Sequence, residues 1–227
     1  MTVPVRSLEF ADTREAADLA AFLGRLLHYD RAAAVRMQAG GGALAVFGRP
    51  PSFEVLAIRT ARLAGPDDGF DVTVSAGELL ESLGESTEAG AIPAPVTGPP
   101  WTGVLPPRGG WREQPGLPGP MALRDAVAVA VAEFRSRDEE LPEERRTRAE
   151  RDLIGREIWS RTVGDTPLPL RAVHAAQSLG FLRPVPDFPV ALLAAGSWLR
   201  LRTPFGSIAL RGSGSGLGTL NLSVGTG

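Results

Sequence analysis

The chain has 227 residues, 43% hydrophobic and 22% charged, with a formal net charge of −2. This balance excludes a disordered chain, and the length suits one large domain or two small ones. With 24 basic against 26 acidic residues, non-specific nucleic-acid binding by the whole surface is excluded.

The chain contains no cysteine, which removes disulfides, thiolate metal sites, iron–sulfur clusters and cysteine nucleophiles together. His28 and His174 are the only imidazoles. Residues 1–9 hold no apolar stretch of the kind a signal peptide needs, and the longest apolar runs, 126–132 and 189–195, fall well short of the roughly 20 residues of a membrane span. A cytoplasmic location is expected. Every basic residue is Arg, which reads as genomic base composition rather than function.

Residues 7–10 predict a short strand. Asp12 or Thr13 then caps a helix, with Glu15 at the capping-box position. Leu19, Phe22, Leu23, Leu26 and Leu27 recur at three and four, so one apolar stripe runs through about Tyr29. Residues 32–39 and 43–47 flank Gly40-Gly41-Gly42 and read as a hairpin, because such turns need positive φ. After Pro50-Pro51, residues 53–63 predict a long strand. The cluster Gly65-Pro66-Asp67-Asp68-Gly69 is a turn, and Phe70, Val72 and Val74 alternate in a further strand. Ser75 is placed to cap a second helix, with Glu78 at the capping-box position and Leu79, Leu80 and Leu83 as its apolar side.

Between residues 93 and 120 there are nine prolines and six glycines, a composition that predicts no regular structure. Trp101 and Trp111 lie within it and are expected to pack back onto the body, with ligand stacking as the alternative. Residues 121–182 predict helices: 121–137 on Leu123, Val127, Val131 and Phe134; 143–161 with alternating Glu and Arg, as in Glu144 and Arg148; and a third begun by Pro167 and Pro169 and stopped by Gly180. The chain then returns to strands at 198–202, 207–211 and 220–224. The organisation expected is a body at 1–84, a Pro/Gly-rich linker at 85–120, a helical insertion at 121–182 and C-terminal strands at 183–227 that complete the sheet. Limited proteolysis is expected to cut first between residues 85 and 97, where small residues and prolines carry no apolar period. First cuts inside 121–182 would show the boundary to be misplaced.

In chain order, residues 7–63 read β-α-β-β-β, residues 70–84 read β-α, and 198–224 supply β-β-β. With 85–190 taken as an insertion, the two halves have the same order. This pattern, together with Thr73-Val74-Ser75-Ala76-Gly77-Glu78-Leu79-Leu80 and the hairpin of residues 35–46, resembles one domain of a bacterial DNA sliding clamp. The resemblance implies an α+β fold: a duplicated β-α-β-β-β antiparallel sheet with helices on one face, here with an inserted helical segment. It covers residues 7–84 and, more loosely, 198–224. The departures bear on function. Ser75 stands where clamps typically have proline, and Gly77 and Glu78 stand where clamps often carry basic residues facing DNA. Residues 1–84 hold 8 Arg against 11 acids, the wrong balance for contacting phosphates. A ring-forming processivity role is therefore not implied.

Several constellations carry no chemistry. The Gly/Ser run 212–218 lies between predicted strands, without the following helix a phosphate loop needs. His174 falls mid-helix, and no serine occupies a Gly-x-Ser-x-Gly elbow. His28 and Tyr29 read as helix-end residues. The acids at Asp67-Asp68 and Asp138-Glu139-Glu140 read as hydrated turn and helix-end groups. No catalytic residue, cofactor or metal site is expected.

One asymmetry remains. Residues 166–227 hold 5 Arg and a single acid, Asp187. Arg200 and Arg202 share a strand face and Arg211 joins them across the hairpin. Arg171, His174 and Gln177 line one side of the third helix. Arg171, Arg200, Arg202 and Arg211 are the candidate partner-binding residues, unless they pair with the chain's own acidic helices. The reading reached is a non-enzymatic binding or assembly module whose partner is another protein. The alternatives are a small-molecule enzyme, marked by a pocket around His174, and a nucleic-acid binder using the helical segment and the C-terminal arginines.

Overall fold

The computed structural model describes residues 7–65, 69–84 and 89–212. Strand β1 (Ser7–Glu9) leads into helix α1 (Thr13–Tyr29), whose start is fixed by Asp12: its carboxylate accepts from the N–H groups of Arg14 and Glu15, both at 3.0 Å. Leu19, Phe22, Leu23 and Leu26 of α1 are buried, as the stripe predicts. Strands β2 (Ala34–Gly40) and β3 (Ala43–Gly48) form the expected hairpin, with Gly41 and Gly42 at φ +66° and +77°.

Strand β4 (Leu56–Arg62) starts later than the sequence suggests, because Glu54 takes a left-handed φ of 53° and holds residues 51–54 in a turn. Strand β5 (Phe70–Ser75) pairs with β2 and runs directly into α2 (Ala76–Gly84). Ser75 caps α2 as expected, its hydroxyl accepting from the Glu78 N–H at 3.4 Å. Leu79 and Leu83 are buried, and α2 lies beside α1.

The Pro/Gly-rich stretch is more ordered than its composition predicts. It holds β6 (Ala89–Ala91), which pairs with β1, a 3-10 turn at Pro100–Gly103, and β7 (Arg112–Gln114), which closes one edge of the main sheet. Helix α3 (Pro120–Glu139) follows. Residues Glu143–Arg145 form a 3-10 turn, so α4 is shorter than expected, Arg148–Ser160, with Thr147 as its cap. Glu144 therefore does not pair with Arg148 along a helix. Arg148 meets Asp152 instead, and Asp138, expected to be hydrated, binds Arg151 at 2.7 Å. Helices α3 and α4 are joined by a surface network in which Arg137 and Arg161 hydrogen-bond Glu157 and hold its carboxyl down to about 2.

Helix α5 (Leu170–Ser178) packs against α3, α4 and the sheet. Strands β8 (Ala191–Ala195), β9 (Trp198–Thr203) and β10 (Gly206–Arg211) complete an eight-stranded antiparallel sheet of order β5-β2-β3-β4-β10-β9-β8-β7. Strand β8 was not foreseen, although an apolar run bounded by Pro189 and Gly196 is a sign of a buried strand. The expected strand at 220–224, like the Gly/Ser run after Gly212 and the pair Asp67-Asp68, lies outside the described residues.

The fold is α+β and duplicated, as the resemblance implies. Two three-stranded meanders, β2-β3-β4 after α1 and β8-β9-β10 after α5, meet edge to edge where Ser207, Ile208 and Ala209 pair with Ile58, Ala57 and Leu56. In one respect the halves are joined differently from the expectation. The C-terminal hairpin follows α5 rather than α2, because β5 completes the outer edge of β2 and keeps α2 beside α1 at the far end of the sheet. The helical segment therefore belongs to the second half of the sheet.

The helix-side face holds the main core, including Val35, Met37, Leu44, Val46, Ala57, Leu201 and Ile208. Gly206 sits under this core at φ +150°, where a Cβ would lie 2.5 Å from Cε1 of Phe181. The opposite, outer face carries a smaller apolar cluster of Phe47, Leu56, Ile58 and Ala209. Trp101 and Leu105 pack on it, so the Pro-rich segment forms a strap across the back of the sheet. The strap is tied down at Thr102, whose carbonyl accepts from Nη1 of Arg36, while Nε of Arg36 binds Asp71 at 2.7 Å. Among the described residues, no helix is long and apolar enough to cross a membrane.

Candidate partner-binding face

Strand alternation places Trp198, Arg200 and Arg202 of β9 on the outer face. The register extends that row: Arg202 lies opposite Ser207, Arg200 opposite Ala209 and Leu193, and Trp198 opposite Arg211. Arg200, Arg202 and Arg211 therefore share one surface, as their spacing predicts. Arg171 does not join them. It lies on α5, across the sheet, with Nε 3.9 Å from Glu54.

The arginines do not pair with the chain's acidic helices, because the sheet stands between them. Among the described residues, none of the three lies within ion-pair distance of a carboxylate. Arg200 is half-buried, and its Nη2 donates to the hydroxyl of Ser207 at 3.1 Å. Its Nε is buried with no hydrogen-bond partner. Burial, and secondarily the neighbouring Arg202, pushes the Arg200 guanidinium below its ordinary value.

Two indoles frame the patch. Arg200 lies 5.8 Å from the ring centroid of Trp111, and Arg211 lies 5.4 Å from that of Trp198. Trp101 packs onto the outer-face cluster as expected, whereas Trp111 is half-buried outside both apolar clusters, its ring N–H donating to the carbonyl of Pro107 four residues away at 3.0 Å. Beside Trp198 opens a shallow depression of about 510 Å3, walled by Leu105, Pro107, Gly109, Gly110 and residues 195–198. A smaller hollow of about 240 Å3 lies beside Arg202, with Pro189, Val190 and Pro204 among its walls.

The helix side offers two other constellations. His174 stacks on Trp159 at 4.4 Å and meets Phe53 edge-on at 5.1 Å, in a line of rings that continues to Tyr29 and His28. Desolvation lowers its pKa, so the neutral imidazole serves as one ring of a packed cluster. Helix α5 is a core helix with Leu170, Ala172, Val173, Ala175 and Ala176 buried. Arg171, His174 and Gln177 are all partly buried, so α5 does not present the outward face that a recognition helix needs. Among the described residues, no group of three or more His, Asp or Glu side chains is placed to hold a metal.

The second constellation centres on Arg59 and is absent from the sequence-based expectations. Arg59 is the one charged residue of the described core, 7% exposed, on the helix-side face of β4 between Ala57 and Ala61. Its Nη1 donates to the carbonyl of Phe205 at 2.7 Å, and its Nη2 lies 3.2 Å from Asp18 and 3.8 Å from Glu15 of α1. Arg183 closes the network on Asp18 at 2.8 Å and covers the Phe205 ring at 4.0 Å. The available clue was an arginine at an inward position of an alternating strand.

Residues 3–103 match a family model described as a domain of unknown function (DUF8010), and residues 106–215 match one described as a domain of unknown function (DUF8185). The chain matches no curated protein. Among solved structures it is similar to the DNA polymerase sliding clamp from Pseudomonas aeruginosa, at 12% identity and a TM-score of 0.51, over 90% of this chain and 63% of that one. It is similar to the sliding clamp from Caulobacter crescentus at the same identity and TM-score, over 93% of this chain and 66% of that one. The chain thus has the fold of bacterial sliding clamps and spans less than two thirds of their length. At this identity the likeness is one of fold alone.

Proposed function

We propose that this chain is a non-enzymatic binding or assembly module that uses a clamp-like scaffold to engage another protein through the open part of its outer sheet face. The observation that carries the reading is the set Arg200, Arg202 and Arg211: three cations on one face, none within ion-pair distance of a carboxylate among the described residues, with Glu113 two strands away in the Arg200 row. Cationic side chains left uncompensated on a rigid sheet, one of them half-buried, favour an anionic partner. Arginine and tryptophan together are also the residue types that dominate protein interfaces.

A DNA-encircling role finds no support in the charge. Helix α2 exposes Glu78 and Glu81 and carries no Arg. The purified chain is expected not to retain duplex DNA at physiological salt; submicromolar retention with a steep salt dependence would overturn this. For the protein partner, the full chain and an Arg202→Glu, Arg211→Glu variant of equal thermal midpoint are used as crosslinking baits in native extract. A specific partner is expected on the first and lost from the second. Equal recovery on both would remove the outer face from the reading.

A further inference from the structure

Within that binding role, we infer that the open outer face takes an extended acidic peptide segment, its carboxylates on Arg200, Arg202 and Arg211 and one apolar side chain in the depression beside Trp198. The inference rests on the proposed function and specifies its partner.

The geometry is that of a short track. Trp198, Arg200 and Arg202 follow one another on the same side of β9, so four residues of strand separate the two ends, about 13 Å at the rise of an extended chain. A peptide of five or six extended residues spans that distance. At one end the hollow of about 510 Å3 has mixed walls: Leu105, Pro107, Ala195 and Trp198 offer dispersion contact to an apolar side chain, and Gly109, Gly110, Gly196 and Ser197 offer backbone and hydroxyl groups to the peptide main chain. Arg211 stands over the same indole. At the other end Arg202 is exposed beside its own smaller hollow. Between them lies half-buried Arg200, whose Nη2 donates to the hydroxyl of Ser207 and which has no carboxylate within ion-pair distance among the described residues. An incoming carboxylate beside the guanidinium supplies the missing counter-charge.

The same features disfavour a nucleic acid. Base stacking needs a free aromatic face, whereas Trp111 and Trp198 already have Arg200 and Arg211 beside their rings. Three arginines also give few phosphate contacts.

The test is fluorescence polarisation with the full chain and a pool of labelled dodecapeptides. These carry Asp or Glu at flanking positions and Leu, Ile, Met, Phe or Trp at the centre. The controls are acidic peptides with glycine at the centre, peptides with the acids replaced by Asn and Gln, and a twelve-residue oligothymidylate. Binding is expected for the acidic-apolar pool and to be about tenfold weaker or more for each control. Arg202→Gln with Arg211→Gln should weaken it by about tenfold. Gly109→Phe should do the same by filling the hollow, since a Cβ at Gly109 meets nothing within 4 Å and the fold has room for it. Thermal midpoints of the variants check that the fold is kept. Equal binding of the acid-only peptides overturns the apolar anchor. Preferred binding of the oligonucleotide overturns the protein partner. If the whole pool fails while the crosslinked partner is still lost from the Arg202, Arg211 variant, the peptide chemistry falls and the outer-face reading stands. If that partner is retained as well, both fall.

Discussion

Removal of residues 196–227 is expected to abolish cooperative unfolding of everything that remains, rather than to trim a tail. The cut takes out β9 and β10, and β10 occupies the middle of the eight-stranded sheet, between β4 and β9. It cuts the β7–β8 pair off from the rest of the sheet and uncovers Leu56, Ala57 and Ile58 along β4. Leu199, Leu201, Ile208 and Leu210 leave the core with it. At about 1.5–3 kcal/mol for each buried side chain, the loss is about 6–12 kcal/mol. That equals the roughly 5–15 kcal/mol by which a whole domain is stable. Urea unfolding of the truncated chain should give a broad, shallow transition in place of a sigmoidal one. A chain of residues 1–84 that unfolds cooperatively with native-like stability would overturn the duplicated-sheet account.

Local signals in the sequence were accurate where a single short-range cause decides the structure. Asp12 and Ser75 cap helices because their oxygens reach N–H groups two or three residues on. Gly41 and Gly42 mark the first hairpin because their left-handed backbone favours glycine. The shared face of Arg200, Arg202 and Arg211 follows from strand alternation and a hairpin register, both short-range. What could not be read was decided across the sheet. Nothing local says that β5 closes the edge of β2, so element order alone joins the C-terminal hairpin to α2, whereas it follows α5. Nothing in a Pro/Gly-rich stretch says that three of its residues, Arg112–Gln114, complete an edge, since that strand is held by its pairing with β8 rather than by propensity. Sequence charge alone puts Arg171 with the other arginines, and only the packing of α5 shows that the sheet separates them.

Arg59→Ala is the point substitution expected to cost most outside the apolar core, about 2–4 kcal/mol by urea unfolding. Removing one partner of a buried ion pair commonly costs 3–5 kcal/mol. Here Glu15 and Asp18 keep 16% and 20% exposure, so water relieves part of that penalty. The loss has three parts: the Phe205 carbonyl loses a donor, Asp18 loses one of its two arginines, and a cavity opens between Ala57 and Ala61. Because Arg59 ties α1 to the β9–β10 turn, the damage falls on the junction of the two halves, and unfolding should lose steepness as well as midpoint. Arg183→Ala tests the same network from its exposed end. That side chain is 36% exposed, and its loss should cost about 1 kcal/mol or less. The double variant Arg59→Met, Asp18→Leu separates charge from packing. It removes the buried cation and its nearest carboxylate together while keeping volume, and should recover much of the stability that Arg59→Ala loses. An Arg59→Ala chain within about 0.5 kcal/mol of the parent, the range of an ordinary surface substitution, would mean that the network is ornamental and that apolar contacts alone hold the halves together.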